Sequence, residues 1–439
     1  MKISLRFRHV LPLLLFLFTD RAFTEFLFPD EQDPVLGLYS YVLMGLALLL
    51  VVWYFRYLSP VMRRWLLLVT VAIGALALES YNGWGSPMVY PHLFAKLTIL
   101  FSIFGLFAYY RRYELPAGQL MALVLGGLLL NLALYHPDAL SLSAFLENER
   151  GFQVTSALLL LFVGLYYFNQ YLKLGGLVRL AVFFLIMGLI VFLQHRTVWL
   201  AAALALALNG LLIAFGRVEG VRFTAPRLVP MLLLPLVVGG LGGVAVVLDN
   251  PQVLQRLEES VGDIQNADKQ GTGSWRLHQL ESYQPFVEEN PTLGMRLEGF
   301  ELPIQFYGED DQPIWQDHTG HHFHSFYLDR LFYFGILGLL LVVVVPVGQL
   351  IRRVRQPVPL SPPAAALVCF TSCTLLYGFS YDWPPFLYAI IGLTLAQAAP
   401  LPYAAVAGFK AARNAANGAP QPVPQPVPLT SPASYAALC

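Results

Sequence analysis

Twelve stretches of about 20 mostly apolar residues, set apart by polar turns and one long polar loop, leave this chain few folds to choose from. They fall near 9–28, 35–55, 65–79, 92–110, 118–135, 154–171, 177–194, 197–215, 228–248, 325–348, 364–380 and 385–406. Runs of this kind are what a helix needs to cross a bilayer, where it can satisfy its own backbone without water. Of 439 residues, 57% are hydrophobic and only 12% charged, against roughly 25% charged in soluble chains. The chain therefore reads as an all-α polytopic membrane protein with about 12 transmembrane helices. Lys2, Arg6 and Arg8 before Leu11 to Phe18 resemble a signal peptide, but no small-residue cleavage site follows, so this segment reads as an uncleaved first helix. Asp20, Arg21 and Glu25 interrupt its second half.

The distribution of charge tests the count. With the N-terminus in the cytoplasm and the spans alternating, the inner segments hold 18 of the 27 Lys and Arg, among them Arg56, Arg63, Arg64, Arg111, Arg112, Arg217, Arg222, Arg227, Arg352, Arg353 and Arg355. Only Glu114 and Glu219 among the acids fall on that side. Both termini are thus expected in the cytoplasm. The chain divides into nine helices over 1–248, an outer loop over 249–324, three helices over 325–406 and a Pro-rich, disordered cytoplasmic tail over 407–439. No Walker-type phosphate loop is present, which argues against an ATP-driven pump. No nucleic-acid partner and no cofactor are expected. Cys369 and Cys373 lie in an apolar run and Cys439 is the last residue, so neither a disulfide framework nor a metal spacing emerges.

Chemistry-bearing residues gather at the outer loop. His318, His321, His322 and His324 crowd its end, followed by Ser325 and then an apolar helix from Phe326. Ionisable groups at the mouth of a membrane helix are costly and by default point to function. Earlier in the loop, Trp275, Leu277, Leu280, Tyr283 and Val287 recur at near-helical spacing. Ser274 is a reasonable N-cap, and Asn290-Pro291 a stop. This helix is expected to lie on the membrane surface with its apolar face down. Arg276 would then stand in its first turn, where free N–H groups favour a shared anion. Arg196, in the short turn Gln194-His195-Arg196-Thr197, must either reach headgroups or project into a cavity. Lys96, one turn inside its span, reads as snorkelling to the interface, and Arg296 and Arg330 are intermediate cases.

Arginine forks match phosphate oxygens, and neutral histidine can take a proton from a hydroxyl near neutral pH. Confined arginines and a histidine at one face therefore suggest transfer from a phosphate-activated lipid to a hydroxyl acceptor. The competing use is a metal held by His318, His321, His322 and His324 with Asp317 or Asp329, although His-x-x-His-His-x-His is no standard zinc spacing.

At these residues the chain resembles the O-antigen ligase family of bacterial inner-membrane glycosyltransferases. The family signature is His, then Asn, Ser or Gln, nine residues, Gly, two residues, Gly; here it reads His324-Ser325, Phe326 to Phe334, Gly335-Ile336-Leu337-Gly338. Trp275-Arg276, the run Glu289-Asn290-Pro291-Thr292-Leu293-Gly294, and Arg196 at the start of a span are similar to the family's pattern. The resemblance implies a GT-C-like membrane fold and a metal-independent, inverting transfer in the periplasm. The donor would be an undecaprenyl-diphosphate-linked glycan and the acceptor a sugar hydroxyl of lipid A–core. It implies His324 as the base and Arg196 and Arg276 on the diphosphate; His318, His321, His322, Ser325, Arg296 and Lys96 are possible accessory residues, the three extra histidines being a departure from the family.

O-antigen and exopolysaccharide polymerases, with a growing glycan as acceptor, and protein O-oligosaccharyltransferases share the donor and differ in acceptor. A transporter or flippase is the reading from another class. It should carry charges mid-membrane and broken helices in paired halves, whereas the confined charges here cluster at one face.

Overall fold

The computed structural model describes residues 5–30, 33–147, 151–240, 248–265, 271–298 and 323–400. Within them every regular element is a helix, apart from one isolated bridge between Val218 and Leu360. The α-helices are α1 (Leu11–Leu17), α2 (Arg21–Thr24), α3 (Pro34–Tyr54), α4 (Pro60–Trp84), α5 (Pro91–Thr98), α6 (Phe101–Arg112), α7 (Ala117–Tyr135), α8 (Leu142–Glu147), α9 (Val154–Leu174), α10 (Leu177–Phe192), α11 (Arg196–Ala214) and α12 (Ala225–Val238). Then follow α13 (Gln252–Gln265), α14 (Gly271–Glu289), α15 (Phe326–Arg355), α16 (Pro362–Tyr377) and α17 (Pro385–Gln397).

Among the described residues seven segments are long and apolar enough to cross a membrane: α3, α4, α5 with α6, α7, α9, α11 and α15. Helices α10, α12, α16 and α17 are apolar but shorter. The chain is a multi-pass helical membrane protein. The stretch 9–28, expected as one span, is two short helices. Asp20 accepts the Ala22 N–H at 3.2 Å and caps a new start, and Ser156 donates to the same carboxylate at 2.6 Å. The far end of the expected ninth span (241–247), the end of the twelfth and the tail lie outside the described residues.

Close helix contacts run through glycine, which lets backbones approach without hydrocarbon between them. A Cβ at Gly392 of α17 would sit 2.4 Å from the Ile103 carbonyl oxygen of α6, and one at Gly105 of α6 would sit 2.8 Å from that of Ala47 on α3. Helix α6 is enclosed as a result, with Ser102 to Tyr110 all buried. Trp53 of α3 and Leu67 of α4 are instead exposed, as side chains facing lipid are.

Helix α15 does not run straight. Gly335 takes φ 60°, ψ −164°, a conformation open only to glycine, and breaks it one-third of the way along. The freed backbone groups are met by the segment after α14. Met295 and Arg296 donate to the Phe332 and Tyr333 carbonyls at 2.8 and 2.9 Å, and Ile336 and Leu337 donate to the Pro291 and Thr292 carbonyls at 2.9 and 3.2 Å. The outer loop is thus bonded, backbone to backbone, into a broken span.

Candidate active site

Ser325 begins the site because it caps α15. Its Oγ accepts the Leu328 N–H at 3.4 Å and donates to the Gly378 carbonyl at 3.2 Å, and the Phe326 N–H donates to the same carbonyl at 2.9 Å. The start of α15 is therefore fastened to the loop 378–384 between α16 and α17. Trp383 in that loop stacks on Phe326 with ring centroids 3.9 Å apart.

Helix α14 closes over this junction. Gln279, Tyr283 and Phe286 turn inward, while Leu277 and Leu280 are exposed. The helix packs on the bundle through a mixed polar and aromatic face. Tyr283, fully buried, meets Phe323 and Phe332 edge-on at 4.7 and 5.3 Å. Gln279 accepts the backbone N–H of His324 at 3.3 Å, and the His324 side chain stays exposed. One turn earlier on α14, the Arg276 guanidinium lies over the Tyr381 ring at 4.7 Å. Arg276 and Ser325 thus both touch the loop 378–384, and His324 is held from α14 by Gln279.

The first-turn placement of Arg276 does not hold. Helix α14 already includes Gly271, so Arg276 lies in its second turn, away from the free N–H groups. What faces the guanidinium is an aromatic ring, a cation–π contact that orients the group and leaves its edge for a ligand.

Arg196 starts α11. Its neighbour His195 is buried and holds the Phe152 carbonyl at 2.9 Å, and Gln194 donates to the Phe145 carbonyl, so the turn is fixed. Lys96 does not snorkel: it pairs with Asp329 and lies 4.9 Å from the Tyr333 ring centroid. Arg296 pairs with Glu79 at 3.0 Å. His318, His321 and His322 lie outside the described residues. Among the described residues no three His, Cys, Asp or Glu side chains converge.

A charge network missed in the sequence underlies the site. Asp329 is buried and accepts from Lys96 on one oxygen and from Arg330 on the other, at 2.7 Å. Arg330, also buried, donates to the Tyr388 hydroxyl at 2.6 Å. Two cations around one carboxylate meet the condition under which buried charge is tolerable. Half-buried Asp382, in the loop 378–384, adds a second carboxyl. Burial and the neighbouring Asp329 charge push its pKa above the ordinary carboxylate value, against the pull of Arg330 and Lys96. The available signal was an acid among aromatics between two apolar spans.

Beside the network, between α4 and α15, runs an apolar groove of about 710 Å³ lined by Trp65, Leu97, Leu337, Leu341 and Val344, with the Glu79–Arg296 pair on its wall.

No curated protein matches the chain at a significant level. Residues 180–343 match the family model described as O-Antigen ligase, a stretch that runs from α10 into α15 and takes in Arg196, Arg276, His324, Gly335 and Gly338. Over residues 180–343, then, the chain is similar to the O-antigen ligase family, one of lipid-linked-glycan transferases.

Proposed function

We propose that the protein is a ligase that moves a glycan from an undecaprenyl-diphosphate carrier to a sugar hydroxyl of lipid A–core, at the periplasmic face of the bacterial inner membrane. The observation that carries this reading is the junction at α14. Arg276 and the residue that holds His324, Gln279, sit one turn apart on a single helix. A leaving-group ligand and a proton acceptor so linked can serve the two ends of one displacement.

His324 takes the proton of the acceptor hydroxyl as its oxygen attacks the anomeric carbon. The bond from that carbon to the diphosphate oxygen breaks on the opposite face, so the configuration inverts. Arg276, with Arg196, neutralises the charge that grows on the departing diphosphate. Asp329, Lys96 and Arg330 position the first turn of α15 beneath. The apolar groove suits part of the carrier's prenyl chain.

The test is a transfer assay with purified protein in EDTA, carrier-linked glycan and lipid A–core. The expected result is one ligated product that disappears in His324→Ala while donor binding persists. Elongated carrier-linked glycan with untouched core would make the protein a polymerase instead, and recovery only with zinc would make the histidines a metal centre.

A further inference from the structure

Two polar cavities open side by side where α17 begins, at a position the mechanism above does not use. The larger, about 320 Å³, is lined by Thr19, Arg21, Tyr39, Ser40, Gln153 and Pro385. The smaller, about 90 Å³, shares Arg21 and Gln153 with it and reaches in to Asn131. The four elements that meet there, the α1–α2 turn and the first turns of α3, α9 and α17, contribute the end that charge patterning places outside.

The lining is matched to a ligand with many hydroxyls. Thr19, Tyr39 and Ser40 each donate to a backbone carbonyl, of Phe16, Leu15 and Leu36, so their oxygens face the cavity as acceptors. Arg21 donates to the Phe28 and Pro29 carbonyls, which fixes it in the cavity wall. Arg21 is neutralised by Glu25 at 3.6 Å, so the cavity is polar without being a strong anion trap. Asn131 is fully buried and gives its amide N–H to Glu25 at 2.9 Å, but its Oδ1 has no hydrogen-bond partner among the described residues. A buried acceptor left so costs about 1–3 kcal/mol and is relieved by an incoming donor.

The cavity also sits near the chemistry. Pro385, in its wall, directly follows the loop 378–384 that carries Tyr381. Tyr381 is the ring beneath Arg276.

We propose that this pair of cavities is a saccharide subsite that holds a neutral sugar unit of one of the two glycan substrates through hydroxyl hydrogen bonds. The inference rests on the glycan-transfer reading. Its volume is at the lower end of the roughly 300–1,000 Å³ of small-ligand sites, which suits one or two sugar rings.

The test uses the full chain in nanodiscs, with carrier-linked glycan and lipid A–core varied in turn. Ser40→Trp, at an exposed position, fills the cavity. Leu38→Trp, on the same helix but outside it, carries the same indole as a control. Ser40→Trp is expected to raise KM for one glycan substrate about tenfold or more with little change in kcat, and Leu38→Trp to change neither. A rise for lipid A–core assigns the subsite to the acceptor sugar, and a rise for the carrier-linked glycan assigns it to the donor. Unchanged KM for both overturns the proposal. Melting curves accompany each variant, and Gln153→Leu repeats the test if Ser40→Trp melts early. The oligosaccharides released from both substrates are also titrated by saturation-transfer NMR. Binding lost in Ser40→Trp, with no transfer by the wild type, keeps the subsite and rejects the transfer reading. Binding unaffected by Ser40→Trp rejects the subsite.

Discussion

Gly294 and Gly335 interlock: a Cβ on Gly294 would stand 2.6 Å from the Gly335 nitrogen, and one on Gly335 would stand 2.4 Å from the Thr292 carbonyl. Both have positive φ, 69° and 60°. Any side chain at either position meets backbone that cannot swing away. Gly335→Ala is expected to destabilise by more than the ~1–3 kcal/mol of this glycine-only backbone conformation alone, and to release the 291–297 segment to proteolysis. Gly348→Ala on the same helix has open space around it and should be neutral or stabilising. Melting temperatures and limited proteolysis read both effects.

Gln279→Ala removes the acceptor that holds the His324 N–H while leaving Arg276 over Tyr381. One hydrogen bond is worth about 1 kcal/mol, so a roughly fivefold to tenfold fall in kcat is expected, with donor KM unchanged. Single-turnover transfer rates measure it. A fall in donor affinity instead would mean that Gln279 supports the arginine rather than the histidine.

Arg276→Lys keeps the charge but loses the planar fork that lies on the Tyr381 ring. The expected loss in kcat/KM is about 10- to 100-fold, from charged hydrogen bonds of about 1.5–3 kcal/mol. Near-normal rates with lysine would reduce the residue to a simple positive charge.

Lys96→Met leaves Asp329 buried with Arg330 as its remaining cationic partner. Breaking such a pair costs about 3–5 kcal/mol, whereas removing both charges is often nearly neutral. Lys96→Met keeps the Asp329–Arg330 pair, whereas Asp329→Asn strands both cations, so Asp329→Asn should cost clearly more stability than Lys96→Met, as read from denaturant unfolding.

Asp382 gives a pH dependence. Its folded pKa is raised by burial and by Asp329, so the folded state binds a proton that the unfolded state releases sooner. The associated stability is complete below the ordinary carboxylate pKa and is lost as pH rises through the raised value. Asp382→Asn, which resembles the protonated form, should melt like the wild type at the acid end and above it on the alkaline side. Melting across a pH series in nanodiscs checks the sign.

What was legible followed from local rules. The spans near 35–55, 65–79, 92–110, 118–135, 154–171, 197–215 and 325–348 could be read from length and hydropathy, and Ser325 caps the last of these helices. The errors came where two local signals competed. Asp20 was read as an interruption of a span when it is the cap of a new helix, and Ser274 was read as a cap when α14 had already begun at Gly271. The network at Asp329 was invisible for a different reason. Lys96 is separated from it by 233 residues, and no periodicity connects residues so far apart.

The joint between the outer loop and α15 is made of main-chain carbonyls and amides. Such groups have no residue identity, so the joint asks only for glycine at two places and a fixed chain length around each. Chains built this way can exchange nearly every outward side chain of the loop without loosening it. Kinship among them is then written in the spacing of a few glycines, while the surface above is free to be remade for a different substrate.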